Sequence, residues 1–257
     1  MLSNAAEETL RVSASMLAIP LLKQSTSTDL TDPSMNIQGL IQSMLKDTPV
    51  SPKCELLQII DILLERMPPA ELANCRKDLL KYIWGVLKRK DASTSYAYMA
   101  VCRFIAVFDT PPKVIVQVYR SLVRDTASER DTVRAALDVL LPALNKRPAE
   151  DEVLKAVLSY TRSVIGEEGN SIQQMTHVWD TITRHPNVFA RHQAEIIPHM
   201  IRSLPLLGLQ PKMSAEMRKL SVALARLITD WGSMIDLDQS DFDTVLDVLI
   251  RVAMVNA

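Results

Sequence analysis

Apolar side chains along this chain recur at three- and four-residue steps rather than in strict alternation. From Ser51 to Met67, Leu56, Ile60, Leu63, Leu64 and Met67 fall at i, +4, +7, +8 and +11, the register of one helix face. Ser51-Pro52 opens that segment with a capping residue and a proline where the missing N–H costs nothing. From Pro69, Leu72, Cys75, Leu79, Ile83 and Val86 predict a second helix ending in Lys88-Arg89-Lys90. Asp91 can cap a third, carrying Val101, Phe104, Ile105 and Phe108. A fourth starts at Pro112 and turns Ile115, Val118, Tyr119 and Leu122 inward. The fifth opens at Ser128-Glu129-Arg130-Asp131, a capping-box-like start, and places Val133, Ala136, Leu137, Leu140, Leu141 and Leu144 on one face. Pro142 lies inside that pattern and should kink the helix rather than abolish it.

The same periodicity predicts helices at about 149–165, 171–184, 187–204, 214–231 and 240–255. Upstream, 4–23 and 36–46 are weaker helices around Ser25-Thr26-Ser27-Thr28-Asp29, which reads as an exposed loop. Pro68-Pro69, Pro111-Pro112, Pro148 and Pro186 punctuate the chain at intervals of 43, 36 and 38 residues, counted from the second proline of each pair. Between them the helices fall in pairs of roughly 40 residues, within the HEAT or armadillo range. Asp131, Val133, Arg134 and Ala136 follow the acidic-x-Val-Arg-x-Ala pattern of a HEAT second helix. The expected fold is therefore all-α, an irregular α-solenoid of HEAT-like helix pairs with about twelve helices. Residues 1–50 are the weakly assigned N-terminal helices, and 51–257 a single elongated run of repeats.

Composition supports this fold. The 257 residues include only 6 Gly and 5% aromatics, too few for a glycine-turned sheet, barrel or propeller. The net charge of −1 lacks the basic excess of a generic nucleic-acid binder. No stretch approaches the roughly 20 apolar residues that span a membrane. The acidic start, Met1 through Glu8, resembles neither a signal nor a basic transit peptide. Cys54, Cys75 and Cys102 match no zinc spacing and read as reduced thiols of an intracellular protein.

Motifs that carry chemistry are missing. The glycines form no phosphate loop, and neither kinase triplets nor a G-x-S-x-G elbow occurs. His185, His192 and His199 are spaced seven apart, about 10.5 Å along a helix, too far for two imidazoles to share one Zn²⁺. Lys88-Arg89-Lys90 reads as a helix C-terminus, where cations complement the dipole. Arg120, Arg124, Arg130 and Arg134 form a second basic stretch, laced with Asp125, Glu129 and Asp131. The aspartates from Asp236 to Asp247 lack the calcium-loop pattern and should flank the last helix. The 12 methionines sit mostly at core spacing. No cofactor is implied.

Four blocks in register carry a family resemblance. They are Lys113 to Leu122, Val133 to Leu144, the run through Ile165-Gly166-Glu167-Glu168-Gly169, His199-Met200 and Leu207-Gly208, and Glu216 to Trp231. Their order and spacing resemble the central HEAT-repeat region of the TRRAP family, over 112–231 well and 50–111 more loosely. Gly232 departs from that pattern, since the family tends to be acidic there. The resemblance implies a segment of a very large pseudokinase relative of the phosphatidylinositol-3-kinase-like kinases. Such proteins are scaffolds in SAGA-type histone acetyltransferase coactivator complexes, whose helical regions are thought to receive transcription activators. It brings no active-site residue, so the chain is expected to be non-enzymatic and nuclear. The expected partners are activators, acetyltransferase-complex subunits and neighbouring repeats of a longer chain.

Arg120, Arg124 and Arg134 are the candidate partner-binding residues, flanking an apolar strip that an acidic-hydrophobic segment could fill. Two other readings compete. An importin-like or MIF4G-like adaptor in transport or translation shares the helix pairs, although Trp84, Trp179 and Trp231 lack the paired asparagines of a cargo groove. An all-α enzyme would need His177, His192 or His199 clustered with carboxylates.

Overall fold

A computed structural model describes residues 13–14, 16–31, 39, 41–42, 45, 53–89, 91–124, 130–146, 152–166, 172–208, 214–232 and 238–255. Among these the secondary structure is helical throughout, joined by short turns. Residues 13–14 and 16–24 are helical. They are followed by α1 (Ser27–Leu30), α2 (Lys53–Arg66), α3 (Pro69–Leu72), a 3₁₀ turn (Ala73–Cys75), α4 (Arg76–Leu87) and α5 (Thr94–Val107). Next come α6 (Pro112–Arg124), α7 (Arg130–Asn145), α8 (Glu152–Gly166), α9 (Ile172–Arg184) and α10 (Pro186–Phe189). A second 3₁₀ turn (Ala190–His192) leads into α11 (Gln193–Gly208), α12 (Ala215–Gly232) and α13 (Gln239–Val255).

The inward positions named from the periodicity are buried. On α6, Ile115, Tyr119 and Leu122 are fully buried and Val118 nearly so. Each such burial contributes roughly 1.5–3 kcal/mol. On α7, all six expected positions from Val133 to Leu144 are buried, and the helix runs on through Pro142. On α12, Leu220, Leu224, Leu227, Ile228 and Trp231 are buried, and the helix ends at Gly232. The methionines divide more evenly: Met67 and Met200 are core, whereas Met16 and Met254 are exposed.

Four sequence expectations need correcting. The segment around Ser25–Asp29 is exposed but not all loop. Thr26 caps α1 through a capping box, its side chain accepting from the Asp29 N–H while the Asp29 carboxylate accepts from the Thr26 N–H. Four residues have too few turns to show a hydrophobic period, which is why the pattern missed them. The helix expected from Pro69 is interrupted at Ala73–Cys75, and the one expected over 187–204 is interrupted at Ala190–His192. Asp91 lies two residues before the N-cap Ser93: its carboxylate accepts the Ser93 N–H at 2.9 Å and turns the chain into α5. The expected capping start at Ser128-Glu129, Lys90, Pro148, Asp236 and most of 36–46 lie outside the described residues.

The chain forms two compact units, Met1–Val118 with Glu129–Leu140, and Tyr119–Ser128 with Leu141–Ala257. In the first, α5 packs against both α2 and α4. Arg103 of α5 bridges to Asp61 at 3.1 Å and Glu65 at 3.2 Å on α2. In the second, α12 lies between α9 and α11, while α13 covers α11 and α12. At Gly208 α11 comes close to its neighbours, since a Cβ there would stand 2.9 Å from Val248 Cγ1 and 3.4 Å from Ser221. Among the described residues no helix is long and apolar enough to cross a membrane.

Candidate functional site

Two of the three arginines expected to meet a partner come together. Arg120 and Arg124 are one turn apart on α6, so both leave the same exposed face. Their guanidinium carbons lie 5.1 and 5.7 Å from the centroid of the Tyr160 ring on α8. Neither has a carboxylate partner among the described residues. Each cation–aromatic contact contributes about 0.5–1 kcal/mol at an exposed site, enough to orient the guanidinium while leaving its N–H groups free to donate.

Buried chemistry holds this shelf in place. Tyr160 meets the ring of Tyr119 edge-on, with centroids 6.3 Å apart and planes at 82°. Thr161 donates its hydroxyl proton to the Val157 carbonyl at 2.9 Å, so the Tyr119 hydroxyl must donate to Thr161 Oγ1 at 2.6 Å. Burial pushes the Tyr119 phenol well above its usual range, against the opposing effect of the Thr161 bond. At the end of α6, His177 Nε2–H donates to the Leu122 carbonyl at 3.0 Å and Gln174 to the Val123 carbonyl at 2.5 Å. These are carbonyls a helix end leaves without internal partners. His177 is buried and reaches across 55 positions.

Arg134 stands apart. It lies on α7 in the first unit, half-buried, with its guanidinium 3.9 Å from Asp131 one turn back. The acidic-x-Val-Arg pattern therefore serves at least in part to pair charges on its own helix. Arg130 opens α7 and is half-buried, and Lys88 and Arg89 are exposed at the end of α4.

Among the described residues the histidines lie in separate surroundings. His177 is committed to the helix end just described. His192 lies 3.5 Å from Glu195, but Arg162 of α8 takes the same carboxylate at 2.5 Å, on an open surface. His199 is held below its usual range by burial, then by Arg202 and Arg162. Among the described residues no three His, Cys, Asp or Glu side chains are grouped to hold a metal ion. An open cavity of about 360 Å³ in the first unit is lined by Lys23, Leu57, Asp61, Tyr96, Met99 and Asp131 among others. Burial pushes the Asp61 carboxyl up, against the opposing pull of Arg103.

Comparison with known proteins decides the family. A family model described as the Tra1 HEAT repeat ring region matches residues 14–245. The chain belongs to the Tra1 HEAT-repeat ring family. It is 36% identical over 183 residues to the probable transcription-associated protein 1 of Dictyostelium discoideum, a match covering 70% of this chain and 4% of that protein. It is 29% identical over 187 residues to the human transformation/transcription domain-associated protein, covering 68% of this chain and 5% of the relative. It is also 29% identical over 179 residues to the Saccharomyces cerevisiae SAGA complex/NuA4 acetyltransferase complex subunit TRA1, covering 69% and 5%. The chain thus spans only 4 to 5% of the length of these relatives. Membership of the Tra1 ring family agrees with the TRRAP resemblance read from the four sequence blocks. It also agrees with the all-α, helix-pair fold.

Proposed function

We propose that this chain is a non-catalytic interaction segment of a Tra1-like coactivator subunit and recruits transcription activators in the nucleus. Residues 51–257 then act as one run of HEAT-like repeats, with 1–50 as N-terminal helices. Stacked helix pairs expose long surfaces and contact mainly their neighbours, which suits recruitment. The names of the yeast relatives, subunits of the SAGA and NuA4 acetyltransferase complexes, support an assembly of that kind. The row Phe242, Leu246, Ile250 and Met254, exposed on α13, is the face on which a neighbouring repeat of a longer chain would stack.

One observation carries the recruiting role: Arg120 and Arg124 both lie over Tyr160 with no carboxylate partner among the described residues. An acidic-hydrophobic activation segment would place carboxylates on the two guanidiniums and an apolar side chain beside the ring. Arg134 is a separate contact on the first unit. Titration of the 257-residue chain with a fluorescent activation-domain peptide tests the proposal. Saturable binding, weakened about tenfold in Arg120→Glu/Arg124→Glu and less in Arg134→Glu, is the expected result. Absence of saturable binding, or equal binding after charge reversal, overturns it.

A further inference from the structure

The outer face of α4 is strongly basic. Its exposed positions, together with the two residues that follow it, are Lys77, Asp78, Lys81, Gly85, Lys88 and Arg89. That is four cations against one carboxylate on a protein whose net charge is −1. None of the four cations is ion-paired among the described residues.

The helix dipole accounts for only half of them. Lys88 and Arg89 follow the last turn, where the carbonyl end favours cations. Lys77 is the second residue of α4, at the N–H end, where a cation is disfavoured. Lys77 and Lys81 are also like charges at i and i+4, a destabilising arrangement for an isolated helix.

Gly85 is a further local cost without a local reason. It sits in the interior of α4, yet a Cβ built on it would meet nothing within 4 Å. Neither packing nor an unusual backbone angle calls for glycine there, and glycine weakens a helix interior. What it provides is a bare stretch of helix backbone between Lys81 and Lys88, open to close approach from outside. Trp84, half-buried, lies beside it on the same face.

We infer that the Lys77–Arg89 face of α4 is a docking surface for an acidic helical segment of a partner protein, seated across Gly85. Charge complementarity selects the acidic partner, and the spacing selects a helix. Lys77, Lys81, Trp84 and Lys88 run at i, +4, +7 and +11, a stripe roughly 16.5 Å long. A facing helix with glutamates at the same steps can pair with the lysines while its backbone approaches Gly85. A nucleic acid fits less well, because Trp84, the ring on this stripe, is half-buried and offers bases little on which to stack. This surface uses none of the residues assigned to activator recruitment above.

The probe is a synthetic alanine-based peptide of about 20 residues, long enough to hold a helix, with glutamates at the 0, +4, +7 and +11 steps. Its controls are a peptide of the same composition with a proline-broken order, and a single-stranded oligonucleotide of equal charge. Fluorescence anisotropy against the full 257-residue chain should show the helical peptide binding best, with affinity falling as salt rises. Lys77→Glu/Lys81→Glu should weaken it about tenfold. Gly85→Leu, which keeps every charge, should weaken it comparably with unchanged circular dichroism. Equal binding of the proline-broken peptide, tighter binding of the oligonucleotide, or indifference to both variants would each overturn the inference.

Discussion

Tyr119 shows how much a single side chain decides here. Its ring fills the core, its edge supports Tyr160, and its hydroxyl donates to Thr161, whose own proton is already given to Val157. The two ends of that bond are therefore unequal. Tyr119→Phe removes a donor and leaves Thr161 satisfied by Val157, for a loss of about 1 kcal/mol. Thr161→Val leaves a buried phenol with no acceptor and should cost more, about 1–3 kcal/mol. Urea unfolding of the two variants checks the order; a larger loss in Tyr119→Phe would contradict the assigned donor direction. Arg120 and Arg124 were legible from sequence as a basic pair one turn apart. Tyr160, which makes them a shelf, was not, because it lies 36 positions beyond Arg124 and nothing in the local pattern connects them. His177 and Gln174 escaped for the same reason, since their acceptors are carbonyls, which every residue carries.

Elements repeat a device that periodicity does not reveal. Pro69-Ala70-Glu71-Leu72-Ala73 and Pro186-Asn187-Val188-Phe189-Ala190 each form one helical turn, then a 3₁₀ turn, then a long helix. In both, the large apolar residue three places after proline is fully buried. Tightening to three residues per turn shifts the apolar face before the α-helix resumes. A 3.6-residue period runs straight through so short an interruption. Two glycines give the same substitution opposite signs. At Gly85 a methyl group meets open space, so Gly85→Ala should stabilise the fold by about 0.5–1 kcal/mol. At Gly208 the methyl would press on Val248 from 2.9 Å, so Gly208→Ala should destabilise by about 1–3 kcal/mol. Thermal melts of the two variants should move in opposite directions.

At the scale of the whole molecule, the three cysteines report how the chain is packed. Cys75 and Cys102 are fully buried, and burial pushes both thiols up; Cys54 is half-buried. A disulfide-exchange reagent should therefore modify one thiol readily in the folded chain and all three in denaturant. Mass mapping should place the first label on Cys54, and early labelling of Cys102 would contradict the packing of α5 against α2 and α4. The sequence alone determined the all-α class, most helix positions and the inward face of each long helix. It could do so because burial of one face imposes a 3.6-residue period that survives in the order of residues. It also carried the family, since four spaced blocks suffice for that. Tertiary structure alone decided which cations are committed and which are free. Arg103 and Arg162 are spent on bridges between helices, whereas among the described residues Arg120, Arg124 and the lysines of α4 are not. That distinction depends on residues brought together from distant positions, and a linear charge pattern has no means of recording it.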